Sequence, residues 1–165
     1  MGPVPERGLL YIQHRGFDPN FVVREYGIQW DGQRLCWPTG GGWARRAITE
    51  WAEPKVKTTG LGGQEGAVIG IERLARNPGA TAVITEGDFK AASIPLPWIG
   101  LGIMGHVLHS AQADRILSIT SDLVFFEDHD WHINRQRNWP VCKSPFGGPD
   151  DIPMKERMRL LLHAE

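Results

Sequence analysis

The chain has 165 residues, a formal net charge of −1 and an apolar content of 41%. This length suits one domain, or one domain with a small lobe, and the apolar content is enough for a packed core, which excludes a disordered chain. Two cysteines are too few for a disulfide framework. No stretch approaches the roughly 18 apolar residues of a membrane span. Residues 1–7 lack the apolar segment of a secretory signal. We therefore expect a cytoplasmic protein without a membrane partner.

The first 60 residues predict a small α+β lobe. Asp18 followed by Pro19 is typical of a helix start, since Asp caps free amides and Pro suits the first turn. Two apolar runs separated by Gly40, Gly41 and Gly42 have the pattern of a β-hairpin. The predicted elements are helices over 9–14 and 19–26, strands over 35–37 and 43–48, and an extended basic segment over 53–60.

The rest of the chain alternates between helical and strand patterns. The predicted order is helix 66–76, strand 81–85, helix 88–93, strand 98–102, helix 106–117, strand 123–126, a short polar segment 131–138, strand 140–143 and helix 154–163. Alternation of this kind favours an α/β fold with a mostly parallel sheet and helices on both faces. We therefore predict an N-terminal α+β lobe over 1–62 and an α/β domain over 63–165.

Two of the predicted buried strands run out into acidic residues. Glu86 follows the first, and Asp128 and Asp130 follow the second. The carboxyl ends of parallel strands are where open α/β sheets bind ligands, and residues two apart on an extended segment point to one side. Carboxylates suit Mg²⁺ or Mn²⁺ better than zinc. The alternative is that the two aspartates cap a turn and Glu86 is solvated, but the paired occurrence favours a metal site.

These strand ends resemble the signature of the TOPRIM fold. Bacterial-type primases, type IA and type II topoisomerases and several nucleases share this fold. In that family one apolar strand ends in Glu-Gly and a later one in Asp-x-Asp, as residues 84–87 and 125–130 do here. The resemblance implies a TOPRIM-type, mostly parallel sheet with helices on both faces.

Further segments resemble the catalytic core of bacterial and phage-type DNA primases, in the same order along the chain. They are 11–17 (YIQHRGF), 21–27, 34–38 (RLCWP), 42–48 (GWARRAI), 54–58 (PKVKT) and 147–151 (GGPDD). The resemblance covers nearly the whole chain, residues 9 to 155.

The resemblance implies a role for each matching residue. The catalytic, metal-holding residues would be Glu86, Asp128 and Asp130, with Asp150 as a further carboxylate, and the metal would be Mg²⁺ or Mn²⁺. The basic residues that would meet template or nucleotide phosphates are Arg45, Arg46, Lys55, Lys57 and Lys90. Cations placed near an acidic metal site suit an enzyme that handles a polyanion. Trp37, Trp43 and Trp51 are candidates for base stacking, although core packing explains at least two of them better.

The chain departs from the primase pattern at several positions. Lys90 stands where primases carry a second acid, and it would either contact a phosphate or pair with Glu86. Gly148 replaces the first acid of the late loop, and Asp88 is a possible substitute ligand. His106 and His109 would lie three apart on a helix, but a zinc site needs three or four such ligands. We see no zinc-binding or helicase domain, so separate proteins would supply those functions.

The first hypothesis is a primase-like nucleotidyl transferase of a phage or mobile element, which acts on single-stranded DNA and nucleotides. A replicative helicase or a separate zinc-binding protein would be its partner. The alternatives are a TOPRIM-type metal-dependent nuclease and a catalytically decayed, DNA-binding replication accessory protein. A topoisomerase is disfavoured, because Tyr11 and Tyr26 are the only candidates for a strand-cleaving tyrosine.

Overall fold

Two four-stranded sheets form the framework of the computed structural model, which describes residues 1–49, 51–60, 62–129, 132 and 139–164. The first sheet is antiparallel, in the order β1-β2-β3-β4. Its elements and preceding helices are α1 (Glu6–His14), α2 (Pro19–Tyr26), β1 (Gln29–Trp30), β2 (Arg34–Pro38), β3 (Gly42–Ala47) and β4 (Val56–Gly60). The predicted cap is present, because Asp18 accepts a hydrogen bond from the backbone amide of Asn20 at 2.9 Å.

The second sheet is parallel throughout, in the order β6-β5-β7-β8. Its elements are α3 (Gly63–Gly66), α4 (Ile71–Ala75), β5 (Ala82–Thr85), α5 (Asp88–Ala92), β6 (Ile99–Gly102), α6 (Ser110–Leu117), β7 (Leu123–Glu127), β8 (Val141–Lys143) and α7 (Met154–Leu162). The predicted α/β fold with a mostly parallel sheet is therefore confirmed.

Three predicted helices begin at the wrong residue. The helix predicted over 9–14 starts earlier, at Glu6. The helix predicted over 66–76 starts only at Ile71, because Ile69 instead forms an antiparallel bridge to Gly102. The helix predicted over 106–117 starts at Ser110, with His109 as its N-cap residue. His106 and His109 therefore do not lie together on a helix. The predicted segment 131–138 falls outside the described residues except for His132.

Helices cover both faces of the parallel sheet. One face packs against α4 and α6 in a cluster that includes Ile84, Phe125 and Ile116. The other face packs against α7 and the end of α5 in a cluster that includes Val83, Phe126 and Leu161. Because β5 and β7 are buried on both sides, all their residues except the last, Thr85 and Glu127, are apolar, as is usual in central parallel strands. No helix in the described part of the chain is long and apolar enough to cross a bilayer.

Side chains of α5 join the two sheets. Phe89 is 1% exposed and belongs to the same apolar cluster as Ile12, Tyr26 and Trp37 of the first lobe. The hydroxyl of Tyr26 donates a hydrogen bond to the carbonyl of Ala91 at 2.8 Å, and burial raises the pKa of Tyr26 to about 12. The two lobes therefore share a core, while the boundary at residues 62 and 63 remains a prediction.

Helix α5 lies unusually close to strand β6. A Cβ atom on Gly100 would come within 2.0 Å of the carbonyl oxygen of Ala91. Only glycine permits this approach, since any other side chain would push the helix away from the sheet. The contact fixes the position of α5, and with it the direction in which Lys90 leaves the helix.

Candidate active site

The two predicted acidic strand ends lie next to each other. Strands β5 and β7 are adjacent and parallel, with Ile84 opposite Phe125. Glu86 follows β5 and Asp128 follows β7, so both carboxylates emerge at the same edge of the sheet. The structure thus brings together Glu86 and Asp128, as the sequence pattern predicted. Asp130 lies outside the described residues.

Lys90 stands between these carboxylates. Its ammonium nitrogen Nζ donates hydrogen bonds to Glu86 Oε2 at 2.5 Å and to Asp128 Oδ2. The exposed fractions of the Lys90 and Asp128 side chains are 23% and 12%. Of the two roles predicted for Lys90, pairing with Glu86 is the one present in this structure. The lysine also bridges to Asp128, which the sequence did not predict.

Asp150, in the loop before α7, completes the acidic cluster. Its side chain is 10% exposed, and Arg15 Nη2 donates a hydrogen bond to its Oδ2 at 3.1 Å. A Cβ atom on Gly148 would lie 2.9 Å from Asp150 Oδ1 and 3.1 Å from Asp128 Oδ1. Gly148 therefore lets the two aspartates approach one small volume.

One carboxylate oxygen of Asp128 and one of Asp150 lack a hydrogen-bond partner among the described residues. Asp128 Oδ1 and Asp150 Oδ1 are both buried, and neither accepts a hydrogen bond from any part of the chain that the structure describes. A buried carboxylate oxygen without a donor is costly, so such atoms require an explanation. Because carboxylate oxygens bind cations, a bound metal ion between Asp128 and Asp150 would explain both atoms.

Burial and mutual repulsion perturb the titration of this cluster. Burial raises the pKa of Asp128, the hydrogen bond and charge of Lys90 oppose this, and the nearby charges of Glu86 and Asp150 raise it further. Burial likewise raises the pKa of Asp150. Burial alone would lower the pKa of Lys90, but its hydrogen bonds to Asp128 and Glu86 raise it above the ordinary value. The lysine is therefore charged at neutral pH.

The donor set fits a divalent metal in one part of the cluster and not in the other. Asp128 and Asp150 offer two unpartnered, hard oxygen atoms, which suit Mg²⁺ or Mn²⁺. The space between Glu86 and Asp128 does not fit, because the Lys90 ammonium already lies there. Among the described residues, no group of three or more His, Cys, Asp or Glu side chains has the arrangement of a metal site. Water, a backbone carbonyl or a nucleotide phosphate would supply further oxygen ligands.

The cluster opens into a cleft of about 430 Å³ between the two lobes. Arg15 and Arg46 of the first lobe line it together with Glu86, Lys90 and Asp150, as do Asp88, Met104 and His106. Met104 has a φ of 57°, a conformation that bulky residues adopt rarely. Its carbonyl accepts a hydrogen bond from the Gln64 side chain at 2.5 Å, which fixes this wall of the cleft.

Arg46 forms a buried ion pair at the back of the cleft. Its Nη2 donates to Asp88 Oδ1 at 2.7 Å and its Nε donates to Asp88 Oδ2. Burial would lower the pKa of Arg46, but the charge of Asp88 raises it well above its ordinary value. Asp88 is 2% exposed and already pairs with Arg46, which disfavours it as the substitute metal ligand that the sequence allowed.

The remaining predicted basic residues lie apart from the carboxylates. Arg45 and Lys57 are register partners on β3 and β4, so both point to the face of the antiparallel sheet opposite to Arg46. Arg45 lies 3.6 Å from Asp31, and Lys55 and Lys57 are exposed. Only Arg46 and Lys90 of the predicted basic set thus line the cleft.

Sequence reasoning did not list Arg15 as a site residue, although it lies in a segment that resembles primases. It is the residue that binds Asp150 from the first lobe. The signal was the Arg-Gly pair at the end of α1. Two of the tryptophans that were candidates for base stacking differ in exposure. Trp37 is fully buried and belongs to the core, whereas Trp51 is 84% exposed and is available to stack on a base.

No protein-family model and no curated protein matches this sequence. Solved structures do match. A DnaG catalytic core is 14% identical, with a TM-score of 0.75 over 98% of this chain and 74% of that one. A DnaG primase catalytic domain bound to single-stranded DNA is 11% identical, with a TM-score of 0.74 over 99% and 73%. The Escherichia coli primase catalytic core is 10% identical, with a TM-score of 0.67 over 94% and 71%. The primase resemblance is therefore confirmed for the fold.

Proposed function

We propose that this chain is a primase-like nucleotidyl transferase that acts on single-stranded DNA with a carboxylate-bound Mg²⁺ or Mn²⁺. One observation carries the proposal. In a fold shared with primase catalytic cores, Glu86, Asp128 and Asp150 meet Lys90 and Arg15 at one edge of the parallel sheet, beside an inter-lobe cleft. Acidic and basic side chains arranged in this way suit chemistry on phosphates.

Each group in the cleft has a distinct task in this proposal. Asp128 and Asp150 would hold the metal, which when bound neutralises phosphate charge and polarises the phosphoryl oxygen. Lys90 keeps the Glu86 and Asp128 carboxylates in place. Arg15 orients Asp150 and presents the rest of its guanidinium group to the cleft. No covalent nucleophile is needed, and Tyr26 is unsuited to that role because it is buried with a pKa of about 12.

Single-stranded DNA and nucleotides are the proposed substrates, handled in the cytoplasm, or in the host cytoplasm if a phage encodes the chain. Lys57 and Arg45 would meet template phosphates outside the cleft, on the opposite face of the antiparallel sheet. A replicative helicase and a separate zinc-binding protein are the proposed partners. TOPRIM-type nuclease activity would use the same carboxylates, so only an activity measurement separates these two functions.

A second candidate function has its own support. Because Lys90 pairs with both Glu86 and Asp128, the cluster is partly neutralised without any metal. This favours a DNA-binding accessory protein that has lost catalysis. In that case the native chain would show no turnover, and its DNA binding would persist unchanged in Glu86→Ala and Asp128→Ala.

The test is nucleotide incorporation by the purified chain. Single-stranded DNA, labelled nucleotides and Mn²⁺ are incubated with the native protein, with Asp128→Asn, and with Glu65→Gln, which alters an exposed acid that does not line the cleft. We expect labelled product from the native protein and Glu65→Gln, and at least a hundredfold less from Asp128→Asn. Product that does not depend on Asp128 contradicts the proposal. Shortening of labelled DNA that Asp128→Asn abolishes would instead indicate a nuclease.

A further inference from the structure

The ammonium group of Lys90 occupies the place where a metal ion would bind between Glu86 and Asp128. Its ammonium touches one oxygen of Glu86 and one of Asp128, which are carboxylates from neighbouring parallel strand ends. A divalent ion bridging the same two oxygen atoms would lie where the nitrogen lies. Two cations cannot share this space, so either the lysine or a metal holds Glu86 and Asp128 together.

The packing of α5 places Lys90 beside the strand ends. Helix α5 lies directly on β6, with Ala91 against Gly100, so the neighbouring Lys90 starts close to the edge of the sheet. The end of its side chain also lies against Gly148, because a Cβ atom there would come within 2.9 Å of Lys90 Cε. A side chain at position 148 would require the end of the lysine side chain to shift. The two departures from the primase pattern, Lys90 and Gly148, are therefore neighbours in space.

The far side of Asp128 remains open to a cation. Its Oδ1 is buried, points away from the oxygen that Lys90 binds, and has no hydrogen-bond partner among the described residues. Asp150 Oδ1 is in the same condition, and both atoms lie within 3.1 Å of the position that a Cβ of Gly148 would occupy. Asp128 is 8% exposed, so water compensates these oxygens poorly.

We propose that Lys90 is a built-in cation that replaces one metal ion between Glu86 and Asp128, and that a single Mg²⁺ or Mn²⁺ binds on the other side of Asp128, against Asp150. The inference rests on the proposed function only in assuming that a divalent metal binds at all. In this arrangement Glu86 forms an ion pair with Lys90 and does not bind the metal. Gly148 then leaves room both for the end of the lysine side chain and for the two aspartate oxygens.

The test counts bound Mn²⁺ by electron paramagnetic resonance, in which the signal of free Mn²⁺ falls as the ion binds. We expect one ion per native chain and affinity at least tenfold weaker in Asp150→Asn. Lys90→Met keeps the length of the side chain but removes its charge, so a second ion should bind between Glu86 and Asp128. Lys155→Met, at an exposed lysine of α7 that does not line the cleft, is the matched control and should bind one ion. Two ions on the native chain, no ion on it, or equal counts for Lys90→Met and the native chain would each overturn the proposal.

Thermal unfolding gives a second readout if Lys90→Met folds poorly without metal. In chelator, the Lys90→Met variant leaves Glu86 and Asp128 facing each other without a cation, so it should melt below the native chain. Mn²⁺ should raise its melting temperature more than that of the native chain, and an equal rise would count against the proposal. Nucleotide incorporation measured on the same samples separates the two proposals. One bound ion without incorporation sinks the proposed function alone, while two bound ions with incorporation sink this inference alone.

Discussion

Replacing Arg46 with alanine should destabilise the fold far more than replacing its neighbour Arg45. The Arg46 side chain is 15% exposed and its partner Asp88 is 2% exposed, so removing Arg46 leaves a buried carboxylate without its counterion. Removing one partner of a buried pair costs about 3–5 kcal/mol. The guanidinium of Arg46 also lies 5.5 Å from the centre of the Phe89 ring. Because Arg46 is not fully buried, we expect a loss of about 3 kcal/mol in the free energy of unfolding.

Arg45 is the matched control. It is on the same strand and also faces an aspartate, but the ion pair is longer, at 3.6 Å, and its side chain is 34% exposed. Exposed pairs contribute about 0–1 kcal/mol, so Arg45→Ala should cost no more than that. The loss of stability in Arg46→Lys should lie between those of the two alanine variants. Lysine keeps the positive charge but cannot form the bidentate contact with Asp88.

Urea unfolding followed by circular dichroism measures both effects. We expect the midpoint to fall strongly for Arg46→Ala with an unchanged slope, because the surface exposed on unfolding is the same. A loss of about 3 kcal/mol corresponds to more than a hundredfold in the unfolding equilibrium, out of a total stability of about 5–15 kcal/mol. If the two alanine variants differ by less than about 1 kcal/mol, well under the buried-pair cost, Arg46 is not a structural residue. The predicted contact of Arg46 with a phosphate is a separate prediction, which this measurement does not test.

Three further outcomes are expected. Phe89→Ala removes a buried ring that contacts Tyr11, Phe17 and Trp37, so it should cost about 3–5 kcal/mol in urea unfolding, and a loss below 1 kcal/mol would contradict the shared core. Lys57→Ala should reduce the salt dependence of single-stranded DNA binding by about 0.7 in log–log slope, measured by fluorescence anisotropy, while an unchanged slope would remove Lys57 from the DNA contact. A chelator should abolish nucleotide incorporation and lower the melting temperature of the native chain slightly, because the Oδ1 atoms of Asp128 and Asp150 lose their cation. The circular dichroism spectrum should stay unchanged, because Lys90 still pairs with Glu86 and Asp128. Unfolding by chelator would show that the metal is structural.

The fold could be predicted because its signals are local. Asp18 and Pro19 mark a helix start in any context, and the apolar residues of β5 and β7 predict central parallel strands by themselves. The helix starts at Ile71 and Ser110 could not be predicted in this way. Residues 67–70 have helical spacing, but Ile69 pairs with Gly102, at the end of β6, within the α/β domain. Tertiary pairing thus overrode the local pattern.

The sequence predicted which carboxylates meet at the site, but not which basic residues point toward them. Glu86 and Asp128 follow from strand ends alone, because neighbouring parallel strands place their carboxyl ends together. The directions in which the basic side chains point could not be predicted in this way. Arg45 and Arg46 are adjacent in sequence, yet strand alternation sends one to the cleft and the other to the opposite face. That assignment needs the strand register, which composition does not contain.

The roles of Lys90 and Gly148 also required three-dimensional positions. In the sequence they are two separate departures from a primase pattern, 58 residues apart by their numbers 90 and 148. In the structure, Lys90 Cε would lie 2.9 Å from a Cβ on Gly148, and both residues adjoin Asp128. A long-range steric relation of this kind has no signature in a single sequence.

X-ray diffraction from crystals soaked in Mn²⁺, with data collected for anomalous scattering, tests most directly which cations the strand-end carboxylates hold. We predict one anomalous peak, bound by the Oδ1 atoms of Asp128 and Asp150, with the Lys90 ammonium still in contact with Glu86 and Asp128 Oδ2. A peak between Glu86 and Asp128, with Lys90 displaced into the cleft, would contradict this arrangement. So would crystals in which no manganese binds to Asp128.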